Sequence, residues 1–205
     1  MRGSWVHTGR LWTNGDPFLA VDASLRGAWH GFSDNHYDDI VDLGPDDTNI
    51  RVGAGLAALI GTDGVVRDDS RLEVFQAENG GIAIVQASGP DYPRVLTEAL
   101  RHPDTDDEPG DPLIVHSGEL ALFSAACDGT GPHSQPLVPA RPGPTPSVHG
   151  RPSPDADPGL LITTTHTAFA FKVRWYTQLD EENCFARWLL TPCRSVNRRA
   201  PTARQ

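Results

Sequence analysis

The chain has 205 residues, 38% hydrophobic and 21% charged, with a net charge of −10. That length allows one domain with appendages and is enough to bury a real core. No stretch approaches the ~20 apolar residues of a membrane span, the segment Met1 to Arg10 lacks a signal-peptide apolar run, and Cys127, Cys184 and Cys193 lack CxxC spacing; a cytoplasmic chain without membrane contact or a disulfide framework is expected.

In chain order, Phe18 to Val21 is a short apolar strand between Pro17 and Asp22, with Trp12 placed to clamp it. Ser24 can cap a helix in which Leu25, Ala28 and Trp29 share a face, and Asp34 can cap a second built on Tyr37, Ile40 and Val41. Asn49 to Val52 and Leu56 to Ile60 flank a Gly-Ala-Gly reversal. Leu72 to Ala77 and Ile82 to Ala87 flank Glu78-Asn79-Gly80-Gly81, where Asn-Gly is the hairpin signal of a type I′ turn. Ile82 to Ala87 is apolar on both faces and is expected to be central in its sheet. Asp91 to Arg101 is the best helix, capped by Asp91, with Pro93 in its first turn. Leu113 to Val115 and Leu120 to Ser124 suggest a hairpin around Ser117-Gly118. Phe169, Phe171, Val173 and Trp175 alternate with Ala170, Lys172, Arg174 and Tyr176 as a long half-buried strand, returned by Cys184 to Thr191 and completing the N-terminal sheet.

Residues 129–159 hold nine of the 18 prolines and five glycines. So little apolar surface predicts a disordered insert. The expectation is an α+β fold, a largely antiparallel β-sheet with a few short helices, in one domain over 12–192. An N-terminal extension covers 1–11 and a basic disordered tail covers 193–205.

Charge is segregated. Between Asp16 and Asp128 stand 22 acidic residues against six Arg and no Lys, whereas the rest of the chain is net basic. Solubility alone accounts for an acidic surface; a second use is to bind something basic. Catalytic patterns are weak. Gly53-x-Gly55-x-x-Ala58 matches a relaxed dinucleotide fingerprint, but Gly61 and Gly64 break the chain where a helix is required, so a hairpin is expected there and no cofactor. His30 and His36 are close in sequence, without the spacing of a metal site. Asp46-Asp47, Asp68-Asp69 and Asp106-Asp107-Glu108 could serve as paired catalytic carboxylates, yet turn-like surroundings favour solvated acids. No basic groove with interleaved aromatics points to direct nucleic-acid binding.

The order of pieces resembles the bacterial immunity protein 21 family. The resemblance is carried by Trp12-Thr13-Asn14-Gly15-Asp16-Pro17-Phe18-Leu19, by Ala28-Trp29-His30-Gly31 followed by His36-Tyr37-Asp38-Asp39, and by Ile50 to Leu59 with Gly61-Thr62-Asp63. Leu120 to Gly129 and the closing strands around Asp180-Glu181-Glu182 extend it. Asp16 stands where the family has a second Gly, His36 and Asp39 depart from its Asp-Tyr-Asp-Arg, and its turn Pro is missing. The resemblance implies a cytoplasmic protein of a polymorphic toxin system that neutralises a cognate toxin domain by stoichiometric binding and is not an enzyme. A toxin that is a nuclease with a basic cleft would suit the acidic surface. Candidate contact residues are Asp34, Asp38, Asp39, Asp42, Asp46, Asp47, Asp68 and Asp69. The alternatives are a small carboxylate-dependent hydrolase and an interaction module that uses its Pro-rich loop.

Overall fold

Period-two alternation dominates the chain, and its apolar faces converge on one interior layer. The computed structural model describes residues 4–13, 15–44, 47–61, 70–143 and 157–194. In chain order the strands are β1 (Trp5–Thr13), β2 (Phe18–Asp22), β3 (Asn49–Val52), β4 (Gly55–Ile60), β5 (Ser70–Ala77) and β6 (Ile82–Ser88). They continue with β7 (Glu108–Ile114), β8 (Glu119–Ser124), β9 (Leu137–Pro139), β10 (Gly159–Thr163), β11 (Ala168–Gln178) and β12 (Cys184–Pro192). A 3₁₀ turn covers Arg26–Ala28, and the helices are α1 (His36–Val41) and α2 (Tyr92–Arg101). This is the α+β, mostly antiparallel architecture the pattern implied.

The strands form two six-stranded sheets, not one. The first runs β1-β5-β6-β12-β11-β7 and the second β3-β4-β2-β8-β10-β9. Among the strands named, only β9 and β10 pair in parallel. The interior layer draws from both sheets: Leu72, Ile84, Phe169, Phe171 and Trp188 meet Phe18, Ile60, Leu122 and Ile162. Burying these side chains contributes roughly 1.5–3 kcal/mol each before chain entropy is set against it. β6 is central as expected, with Ile82 and Ile84 facing this layer and Ala83, Val85 and Ala87 packing under α2 with Val95, Leu96 and Ala99. The outer face of the second sheet is covered by the 3₁₀ turn and α1, through Leu25, Trp29, Tyr37, Ile40 and Leu43.

Several elements differ from expectation. The stretch 1–11 is not an extension: from Trp5 onward it is β1, paired with β5, with Leu11 in the core. His7 and Arg10 interrupt its outward face with polar groups, which disguised the strand. Leu113 to Ser124 is not a hairpin. β7 pairs with β11 in the first sheet and β8 with β2 and β10 in the second, so the chain changes sheets between them. Asp22 holds that corner by accepting N–H bonds from His116 (2.5 Å) and Ser117 (3.1 Å). The Pro/Gly-rich insert is ordered in part. Leu137–Pro139 aligns beside β10, and Arg141 and Gly143 donate N–H bonds to the carbonyls of Thr8 and His7 on β1. Residues 144–156 of the insert and 195–205 of the basic tail lie outside the described residues.

Local caps and turns also differ. Ser24 caps no helix, because its N–H and hydroxyl both donate to Asp22 Oδ1. The N-cap of α1 is Asn35, at φ 59°, in place of Asp34. Asp91 is the N-cap of α2, but its carboxylate takes Arg94 (3.0 Å) and makes no cap bond. The β5–β6 hairpin is present with another turn. Ala77 C=O accepts from Gly80, and Gly80 alone of the loop has positive φ (82°), the arrangement of a type I turn followed by a left-handed Gly. Gly53, at φ 56°, turns β3 into β4, as the hairpin assignment required.

Candidate partner-binding surface

The segment between β2 and β3 is a small lobe laid over the second sheet. Trp29 anchors it: the indole is buried and its Nε1–H donates to Ala125 C=O (2.9 Å). Gly31 follows at φ 42°, pressed against the backbone of Ala126 and Cys127, where a side chain has no room. His30 N–H donates to His36 Nδ1 (3.1 Å), and the His36 ring packs at a tilt against both Trp29 and His30, with centroids 5.3 and 5.5 Å away. Tyr37 closes the lobe by donating its hydroxyl to Asp16 Oδ1 (2.8 Å). Burial, then the Asp16 hydrogen bond and charge, push the Tyr37 phenol up to about 12.

With Tyr37 and Ile40 turned to the sheet, the opposite face points to solvent. It carries Asp34, Asp38, Asp39 and Asp42, all exposed. None of the four has a cationic partner among the described residues. Asp38 and Asp39 lie in the first turn of α1, where the helix dipole favours them. Asp47 is exposed too, but its carboxylate accepts Gly44 N–H (2.8 Å) and so shapes the turn after the helix. Asp46, Asp68 and Asp69 lie outside the described residues. Five of the eight candidate acids are therefore placed, four of them on or beside α1.

On this lobe Phe32 was missed and Val41 was assigned to the wrong face. Phe32 is 60% exposed and stacks on Tyr37 with ring centroids 4.4 Å apart. Val41, expected on the inner face, is 69% exposed, because the buried face of this short helix runs through Tyr37, Ile40 and Leu43. The signal for Phe32 was an isolated aromatic between Gly31 and Ser33-Asp34, with no periodic partner. Beneath it, Asp128 is buried, takes the Ser33 hydroxyl on Oδ2 (2.9 Å) and has no donor on Oδ1 among the described residues. The lobe therefore combines unpaired negative charge with exposed apolar area.

The first sheet uses its acids differently. Glu73, fully buried on the outward face of β5, accepts bonds from Arg10 Nε (2.8 Å) and the Tyr92 hydroxyl (2.7 Å) and contacts His7 Nε2 (2.8 Å). Burial alone would raise its carboxyl, but the His7, Arg10 and Tyr92 hydrogen bonds outweigh burial and hold it below the usual range. Arg71 lies between the Trp12 and Tyr92 rings, 5.2 and 5.3 Å from their centroids. Asp107 is shared by Arg174 and Arg187, each at 2.6 Å. Asp104 pairs with Lys172 (2.9 Å), while Asp91 and Asp180 share Arg94.

Of the acids considered for catalysis, Asp46, Asp68 and Asp69 lie outside the described residues. Of Asp106, Asp107 and Glu108, only Asp107 is buried, and Glu108 accepts Trp175 Nε1–H at 2.7 Å. One cavity of about 230 Å³, beside the C-terminal end of α2, carries Asp104. Another of about 550 Å³, at the β7–β8 corner, carries Asp22. Among the described residues no three His, Cys, Asp or Glu side chains gather as a metal site, and no helix is long and apolar enough to cross a membrane. Gly53 and Gly55 belong to the β3–β4 hairpin and face no helix N-terminus. No family model matches this chain, and neither a curated protein nor a solved structure matches it.

Proposed function

We propose that this protein is a stoichiometric inhibitor that binds a basic protein partner through the α1 lobe, in the manner of a cytoplasmic bacterial immunity protein held against a cognate toxin. The observation that carries this is the contrast between the two faces. Glu73, Asp91, Asp104, Asp107 and Asp180, on or beside the first sheet, are each paired with a cation of the chain, whereas Asp34, Asp38, Asp39 and Asp42 cluster on one exposed face, without counter-ions among the described residues, beside Phe32 and Val41. Unpaired charge speeds encounter with an opposite surface, and an exposed aromatic supplies the apolar anchor that charge alone lacks. A nuclease-type toxin, whose cleft grips phosphate, presents such a basic surface.

The test is a pull-down from lysate of the native cell at low salt, with partners identified by mass spectrometry. Wild-type protein is compared with the triple variant Asp38→Lys, Asp39→Lys, Asp42→Lys. One partner in equimolar amount, carrying a basic toxin-like domain, is expected with wild type and lost with the variant. Its association rate is expected to fall about tenfold or more at low salt and to become less salt-sensitive. A partner held equally by both proteins, or none recovered, would overturn the proposal.

A further inference from the structure

The corner at which the chain passes from β7 to β8 opens into a cavity unrelated to the α1 acids. It has a volume of about 550 Å³, within the ~300–1,000 Å³ of small-molecule sites. Two elements frame it: the β3–β4 hairpin with its Ala54-Gly55-Leu56, and the edge strand β7 with Pro112 and Ile114. Leu25 closes one side. It approaches because residue 55 is Gly; a Cβ there would stand 2.5 Å from Leu25 Cδ1. Ile114 is 38% exposed, although it continues a strand whose neighbour Leu113 is in the core. Further along β7 the two sheets are stitched shut, Asp111 N–H donating to Asn49 Oδ1 at 2.8 Å. The opening at the corner is therefore bounded.

The polar groups define the ligand's sign. Asp22 lines the cavity, but its oxygens are already used. Oδ1 accepts the Ser24 N–H (2.8 Å) and hydroxyl (2.7 Å), and Oδ2 accepts the N–H groups of His116 and Ser117. Burial raises that carboxyl, yet these bonds outweigh it and hold Asp22 well below the usual carboxylate range, so it stays charged and satisfied. Arg51 lines the same cavity and has no hydrogen bond or ion pair among the described residues. The unmet demand is thus a guanidinium fork beside an apolar wall, and a planar carboxylate matches that fork. Asp22 is charged as well, but four donors surround its oxygens, so the guanidinium of Arg51 is the charged group left to pair with a ligand.

We infer that the β7–β8 corner binds an amphipathic carboxylate, its apolar chain against Leu25, Leu56 and Ile114 and its head group on Arg51. Decanoate, kept below its micellar range, is the probe, followed by ¹H–¹⁵N NMR titration of the full chain. Saturable 1:1 binding is expected, with shifts confined to Leu25, Leu56, Ile114, His116 and their neighbours. Acetate and decylammonium at the same concentration are expected to leave these resonances in place. Arg51→Ala, on the exposed side of β3, is expected to weaken decanoate about tenfold. Ile114→Trp is expected to abolish binding by filling the space, with both variants melting at the wild-type temperature. Absent or diffuse shifts, equal binding of decylammonium, or full affinity in either variant would overturn the inference.

Discussion

Replacing Glu73 with Leu removes one buried carboxylate on which three polar side chains converge. Glu73 is 0% exposed and serves Arg10, Tyr92 and His7 at 2.7–2.8 Å. Leu keeps much of the volume but takes away the acceptor on which Arg10, Tyr92 and His7 converge. Breaking a buried ion pair from one side costs about 3–5 kcal/mol. Arg10 and His7 retain 20% and 14% side-chain exposure and can recover some hydration, so the loss falls near the low end. A loss of about 3 kcal/mol, divided by a urea m-value of roughly 2 kcal/mol/M, lowers the unfolding midpoint by about 1.5 M. Tryptophan fluorescence follows the transition. The double variant Glu73→Leu, Arg10→Met, which no longer strands a cation, is expected to recover about half of the loss. Acid adds an independent check. Glu73 is held below its ordinary pKa when folded, so the unfolded chain protonates first as pH falls below about 4.3. The contribution of Glu73 is present above that pH and is lost as pH drops through its folded value; the gap between wild type and Glu73→Leu therefore narrows in acid. A loss under about 1 kcal/mol at neutral pH, or a gap that does not shrink in acid, would show that the network stabilises little.

The α1 lobe yields two further expectations. Gly31→Ala forces a side chain into φ 42° and brings its Cβ to 2.5 Å from Ala126 C=O, so a destabilisation of about 2–4 kcal/mol is expected. Hydrogen exchange of residues 32–42 is expected to accelerate with it, and unchanged exchange would mean the lobe does not depend on that contact. Phe32→Ala, at a 60% exposed site, is expected to shift stability by no more than about 1 kcal/mol while speeding partner dissociation about thirtyfold. An unchanged dissociation rate would remove Phe32 from the interface.

Legibility in the sequence followed the apolar pattern closely. Ile82 to Ala87 is apolar on both faces, and β6 lies between β5 and β12 with a core layer on each side. The alternation from Phe169 to Trp175 announced β11. β1 escaped because His7, Arg10 and Trp12 occupy its outward face. His7 and Arg10 serve a polar network centred 63 residues or more away on Glu73, which no local pattern encodes. β7 escaped because Pro109, Pro112 and two acids look like a loop; an edge strand tolerates them. The corner after β7 is set by Asp22, 94 residues earlier for His116, so the expected hairpin could not be distinguished from a change of sheet. At the surface site, composition announced the acids. The exposure of Phe32 and Val41 depended on which side of a six-residue helix met the sheet, and a single helical turn and a half leaves that ambiguous.

The position of β12 in the first sheet sets an order of events during biosynthesis. It is the last described strand along the chain, yet it sits between β6 and β11 and pairs with both. Until Cys184–Pro192 has been made, β6 presents an open, almost wholly apolar edge, and Trp188, Leu190 and Phe185 are missing from the layers they fill. The nascent chain therefore carries its most aggregation-prone edge from the completion of β6 at Ser88 until β12 is made. Folding must then close pairings about 100 residues apart, such as Val85 with Arg187, which slows the final step. A chain stopped before Cys184 would hold nearly every other element and still lack the strand that joins the two halves of the sheet.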